Sequence, residues 1–366
     1  MKKRDDGFQI ISNYKLLCCV GAKFVFYHSG KVYIGDSLNP PYKLLLKLPG
    51  WKTRVLISIR LIERMLRLEP RLAFPINDTE FLLSYQGSIL RINLEGQFFE
   101  EHRYVKPMNN PLSFCTENGR FLYGEYFGNL NHQEVRVFER DRKGSWNVVL
   151  TFAKGEIQHI HQIKYDWFRN CYWILTGDAD NESAIWKASP NFDSAVAIFR
   201  GKQKYRSCFI MPTEKGLYYA TDTPLEENWI YFAEQQGSIF LEPRRCYKMA
   251  GPCIYGKCLG NQGYVMATSV EPDPTLPTVI YYFTNKLGAG IRDRKTTIVY
   301  GNPCIGFSEV ANIEKDFLGM WLFQFGNMLF PTVSSDKGIL CTGQSLKRID
   351  GKTIMLDYQS TIASLN

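Results

Sequence analysis

The chain has 366 residues, 45% hydrophobic and 14% aromatic, with a formal net charge of +8. That composition excludes a disordered or collagen-like polypeptide and leaves room for two ordinary domains or one large one. The mild positive balance comes without an arginine-rich arm, zinc-finger spacing or RNA-binding motif, so nucleic acid is not expected as a partner, whereas anionic glycans, phosphates or lipid headgroups are compatible with it.

The start, "MKKRDDGFQIISNYKLLCCVG", has a basic tip, but Asp5, Asp6 and the polar stretch 12–15 interrupt what would be the apolar run of a signal peptide. No stretch of about 18 apolar residues occurs, so no transmembrane segment is expected. The ten cysteines show no metal-binding spacing. Free buried thiols in a reducing compartment follow, and with them a cytoplasmic location.

Residues 16–48 read as four short strands, "LLCCV", "KFVFYH", "KVYIG" and "YKLLLKL". Residues 51–69, "WKTRVLISIRLIERMLRLE", lack turn signals and read as a helix. Arg60, Glu63, Arg64 and Arg67 share one side of its wheel, and Ile59, Ile62, Met65 and Leu66 the other. Its apolar side is expected to pack on the body of the protein; peripheral membrane contact is the alternative. Four more strands fill residues 71–102: "RLAFPI", "EFLLSY", "SILRI" and "QFFEEH".

A repeat then becomes visible. First strands begin at 112, 158, 205 and 252; second strands are "FLYGE", "YWILTGD", "LYYATD" and "YVMATS"; third strands are "VRVF", "AIWK", "WIYF" and "VIYY" (279–282). Fourth strands include "WNVVLTF" and "SAVAIF". Four β-rich strands per period of about 40–50 residues, joined by turns, describe a propeller blade. One such sheet cannot cover both its faces, but radial stacking lets each cover its neighbours and leaves few edges. The tail from about 303 to 359 supplies a further blade, and "FQIIS" (8–12) can pair with it to fasten the ring. The expectation is a single all-β domain over residues 1–366, a β-propeller of seven blades, with six as the alternative and one helical insertion.

Two stretches between third and fourth strands, "ERDRKGSWNVV" (139–149) and "SPNFDSAV" (189–196), resemble the Asp-box turn S-x-D-x-G-x-T-W through Asp141, Ser145 and Trp146, and through Ser189 and Asn191. Gly144 stands one position late. In register with the blades, they make the chain resemble the BNR/Asp-box sialidase-like superfamily, including uncharacterised bacterial glycosyl-hydrolase-like propellers. The resemblance spans roughly residues 110–270 and implies a glycan-related role, with the box itself structural. A sialidase arginine triad is not assembled by Arg71 and Arg206, and "LAFPI" (72–76) lacks the arginine of the family's early signature.

In a propeller, loops after second strands and loops into first strands open on one face, where ligands collect near the axis. That geometry gathers Glu125 and Tyr126, then Asp178, Asp180 and Glu182, then Asp222, then Glu271, opposite Arg71, His159, His161, Tyr205 and Arg206. His159 and His161 flank Ile160 on an inner strand, so alternation points both imidazoles the same way. Three readings stay open: a divalent metal at the pair, completed by Asp178 or Glu125; acid–base chemistry; or hydrogen bonding within the channel. The leading expectation carries no cofactor. It is cleavage of an acidic glycan by hydrolysis or β-elimination, with His159, His161, Glu125, Asp178 and Asp222 catalytic. Arg206 would clamp a carboxylate, and Arg71, Tyr126, Tyr205, Glu182 and Glu271 would bind substrate. The alternative is a non-catalytic propeller that holds a glycan or a partner protein.

Overall fold

The structure is a computed structural model that describes residues 7–50, 56, 59–108, 110–333, 335 and 338–357. Among these residues it shows seven sheets of antiparallel neighbours in a ring. Blade 1 spans residues 15–47, blade 2 spans 73–103, blade 3 spans 114–152 and blade 4 spans 160–200. Blade 5 spans 207–248, blade 6 spans 253–314, and blade 7 takes 327–357 together with Phe8–Ser12. The N-terminal strand pairs with Thr353–Asp357, with Phe8 opposite Leu356 and Ile10 opposite Ile354. The outermost strand of the last blade therefore comes from the start of the chain, as the sequence led one to expect, and the ring is sealed by backbone hydrogen bonds.

The second strands explain why the ring holds. Phe81, Leu82 and Leu83 in blade 2, and Tyr172, Trp173 and Ile174 in blade 4, are buried in unbroken runs, so both faces of these strands are covered. Each blade presses large side chains into its neighbour, so one apolar layer runs around the axis. The blades approach closely where Gly124 lies against Ile160 of the next blade: a Cβ there would fall 2.4 Å from that side chain.

The first strands share a device that matters for function. Their register slips between Leu16 and Cys18, Ile160 and Gln162, Ser207 and Phe209, and Cys253 and Tyr255. The extra residues at these β-bulges, Leu17, His161, Cys208 and Ile254, all line the central channel. A bulge re-aims one side chain out of the alternating pattern, here toward the axis.

Two readings from the sequence need correction. "VIYY" is not a strand: Thr278–Phe283 forms a short helix within the loop after the second strand of blade 6, and the third strand is Lys295–Asn302. A short apolar run has no periodicity to separate helix from strand. The other helix, Arg60–Met65, joins blades 1 and 2 with the opposite side inward. Glu63 and Arg64 are buried, while Ile59, Leu61 and Leu66 are exposed. Arg60 grips Asp350 through two bonds of 2.9 Å, Arg64 pairs with Asp316 at 2.7 Å and donates to the Phe323 carbonyl, Tyr27 donates to Glu63, and Lys15 pairs with Glu69. The surface beneath the helix belongs to the seam between blades 7 and 1 and presents carboxylates and carbonyls, so the basic side is drawn in. Residues 51–55, 57 and 58 of the expected helix lie outside the described residues.

The Asp-box-like segments sit at turns between third and fourth strands, on the face away from the channel mouth. Asp141 accepts the backbone N–H groups of Lys143 and Ser145, and Trp146 donates to Glu101 of blade 2. No cysteine among the described residues is bonded to another, and six of the ten are buried. No described helix is long and apolar enough to cross a membrane.

Candidate functional site

Two connected cavities occupy the axis. The mouth, about 580 Å³, opens on the face bearing both helices and is lined by Arg67, Arg71, Tyr126, Tyr255 and Trp321 among others. Below it lies a channel cavity of about 170 Å³, lined by His161, Cys208, Gln162 and residues of every inner strand. Arg71 and Tyr255 border both, their side chains 3.4 Å apart, at the neck between them.

Blades 4, 5 and 6 build a polar cluster in the wall. His161 Nδ1 lies 3.0 Å from the Ser207 carbonyl, which fixes that nitrogen as the proton-bearing one and turns Nε2 inward. There it stands 3.0 Å from His159 Nε2. Asp178 approaches both imidazoles, one carboxylate oxygen to each, at 3.5 Å. Arg206 holds the same carboxylate at 3.0 Å and reaches toward Asp222 at 3.7 Å. Cys208 donates its thiol proton to Asp222 across 3.2 Å. Glu271 accepts from Ser269. The Tyr126 ring leans on His159, with centroids 4.5 Å apart.

The electrostatics separate these groups. Burial pushes the Asp178 carboxyl up, but the Arg206 guanidinium and the two imidazoles outweigh it and hold it well below the usual carboxylate range. Glu271 goes the other way: burial first, and then the Asp222 charge, push it up to about 8. Burial and the Asp222 charge also keep the Cys208 thiol protonated. Arg206 is buried, but the Asp178 charge and then that of Asp222 overcome the burial and keep it a cation. One carboxyl therefore stays ionised and a neighbouring one keeps its proton at neutral pH, the separation that acid–base catalysis uses.

The mouth has the opposite character. Among the described residues, neither Arg67 nor Arg71 has a carboxylate partner: Arg67 donates to the Trp321 carbonyl at 2.9 Å and lies over that indole at 4.9 Å, and Arg71 meets only the Tyr255 hydroxyl. Burial and then the Arg71 charge lower Arg67 to about 10. Two cations repel one another here beside three aromatic rings.

This is a seven-bladed β-propeller. No family model matches the chain, and no curated protein matches it. Solved structures similar to it include a chain of a mitotic checkpoint complex, at TM-score 0.52 and 9% identity, covering 94% of this chain and 87% of that one. The AfRom2 CNH domain is similar at TM-score 0.52 and 9% identity, covering 96% of this chain and 97% of that one. A prolyl endopeptidase is similar at TM-score 0.50 and 10% identity, covering 91% of this chain and 45% of that one. At such identities the likeness is one of fold, a fold that hosts unrelated activities.

Of the residues singled out from the sequence, His159, His161, Asp178, Asp222, Arg206, Glu271 and Tyr126 converge, and Arg71 reaches the neck above them. Four do not join them, the first being Asp180, which is exposed and accepts from Gln203 at 2.9 Å. Glu125 is buried against blade 3, held by Arg136 at 2.9 Å and accepting that residue's backbone N–H. It occupies the place of Thr221 and Thr268, which accept third-strand N–H groups in the same way. One residue of alternation separates that place from Tyr126 and so turns Glu125 off the channel. Glu182 pairs with His132 at 2.6 Å, and Tyr205 stacks on Phe199 and bonds Glu242. Asp178, one of the residues expected to be catalytic, is the anion of the cluster. Cys208, Arg67, Tyr255 and Trp321 were not foreseen. Cys208 was within reach, because it occupies in blade 5 the bulge position of His161 in blade 4.

Proposed function

We propose that the axial pocket binds and cleaves an acidic glycan, and that the chain is a carbohydrate-active propeller of the sialidase-like type. The observation that carries this reading is the pair Arg67 and Arg71, without carboxylate partners among the described residues, above a wall that holds one protonated and one ionised carboxyl. A uronic or sialic residue entering the mouth would place its carboxylate between the two guanidinium groups. Tyr126, Tyr255 and Trp321 would give its ring faces to stack on. In hydrolysis, Glu271 gives its proton to the leaving oxygen and Asp222 takes one from the attacking water, so that both protons are accounted for. Arg206 and Asp178 keep the charges around that exchange fixed.

The test is incubation of the purified chain with uronic- and sialic-acid oligosaccharides, following reducing ends and unsaturated products. Turnover by the wild type, abolished in Glu271→Gln with binding retained, supports the reading. A rise of about tenfold or more in KM for Arg71→Ala supports the assignment of the mouth. Binding without turnover on every acidic substrate would overturn cleavage, and no binding would overturn the glycan.

A second reading, a loop face that seats a partner protein, is favoured by one observation. Leu130, Val279, Phe283 and Phe317 are 85%, 72%, 65% and 83% exposed on loops of the mouth face. Absence of glycan binding together with a stable complex lost on Phe283→Ser and Phe317→Ser would favour it.

A further inference from the structure

We infer that His159 Nε2, His161 Nε2 and the Asp178 carboxylate form a binding site for one divalent transition-metal ion in the wall of the channel. The inference concerns the pocket of the proposed glycan reading but does not depend on cleavage: an ion can bind there whatever enters the mouth.

Geometry is the first argument. The two imidazole nitrogens are 3.0 Å apart and each is 3.5 Å from a carboxylate oxygen. With one ligand atom taken from each residue, all three lie within 4.8 Å of one another, a spacing that leaves a common point roughly 2 Å from each, the length of a Zn–N or Zn–O bond. A hydrogen-bonded architectural pair would need only one short contact; here three donors from two elements point at one place. The second argument is orientation. The Ser207 carbonyl takes the Nδ1 proton of His161, which leaves the Nε2 lone pair facing the point of convergence. Arg206 in turn holds Asp178 by the oxygen that faces His161. Metal-binding histidines and carboxylates characteristically have such outer partners. The third argument is charge. Two carboxylates, Asp178 at 3.0 Å and Asp222 at 3.7 Å, share the one Arg206 guanidinium. Both histidines are buried, so their imidazoles are shielded from bulk water, while Asp178 is half-buried.

Three protein ligands leave a further coordination position open, as in catalytic rather than structural sites. It would face Asp222 and Cys208, whose donor atoms lie within 4.8 Å of each other and of His161. Two imidazoles and one carboxylate suit zinc, iron(II) or cobalt better than calcium or magnesium, which prefer all-oxygen sets.

The experiment uses the full chain, stripped with chelator and titrated with Zn²⁺ or Co²⁺ by calorimetry, with Co²⁺ also followed by its visible absorption. We expect one ion per chain in the wild type. His159→Ala and His161→Ala should weaken it about a hundredfold, and His102→Ala, away from the channel, should leave it unchanged. Circular dichroism establishes that each variant is folded, and His159→Gln provides a second substitution at the first position. No ion bound by the wild type, or equal affinity in folded His159→Ala, His159→Gln and His161→Ala, would overturn the site. Stoichiometric binding with no turnover of any acidic glycan would uphold it while removing the cleavage proposal.

Discussion

Replacing Glu271 by Gln should change how the stability of the protein depends on pH. The carboxyl is buried and faces the Asp222 charge, which raises it to about 8 from an ordinary 4.5. The folded state thus holds this proton more tightly than the unfolded chain does. Its contribution to stability is complete below pH 4.5 and is lost as pH rises through about 8. Between those limits the loss runs at about 1.4 kcal/mol per pH unit, on the order of 5 kcal/mol over the whole window. Gln keeps the shape and still accepts from Ser269, but cannot ionise. Urea denaturation of wild type and Glu271→Gln from pH 5 to 9, at constant ionic strength and with chelator present, measures the difference directly. The variant should gain on the wild type steadily as pH rises, and the gain should level off above about pH 8. Parallel curves would show that Glu271 is not held protonated, and the assignment of it as the acid would fall with them.

Three further outcomes follow from particular contacts. Glu69→Ala strands the Lys15 ammonium, whose side chain is 3% exposed, and should cost about 3–5 kcal/mol in chemical denaturation. Removal of residues 1–12 exposes the edge of Thr353–Asp357 and should lower Tm by roughly 5–10 °C, with concentration-dependent aggregation; an unchanged Tm would show that the ring does not need its N-terminal strand. In Gly290→Ala, a Cβ would fall 2.0 Å from the Glu226 carbonyl oxygen and 2.8 Å from that of Thr223, where two mouth-face loops meet. Because neither carbonyl can swing aside, a loss of about 2 kcal/mol is expected by thermal denaturation.

The period of the strands was legible because a blade is a local object. Alternating aromatic and branched residues, with turns between them, pair with their immediate neighbours in the chain, and stacking then follows. Ring closure through "FQIIS" could be foreseen for the same reason: a leftover strand and an open edge have one economical solution. The helix at Arg60–Met65 could not be oriented from its wheel. Which side faces inward depended on Asp316 and Asp350, residues brought to the seam only when the ring closes.

The sequence by itself determined that blades exist, how they repeat and which loops share a face, since strand pairing and side-chain alternation are short-range. Only the tertiary structure decided which of the polar residues on that face meet. A bulge turned His161 and Cys208 to the axis, while a single step of alternation turned Glu125 away from it. The separation of Glu271 from Asp178 in proton affinity arises from burial and neighbouring charges contributed by different blades, which no local stretch contains.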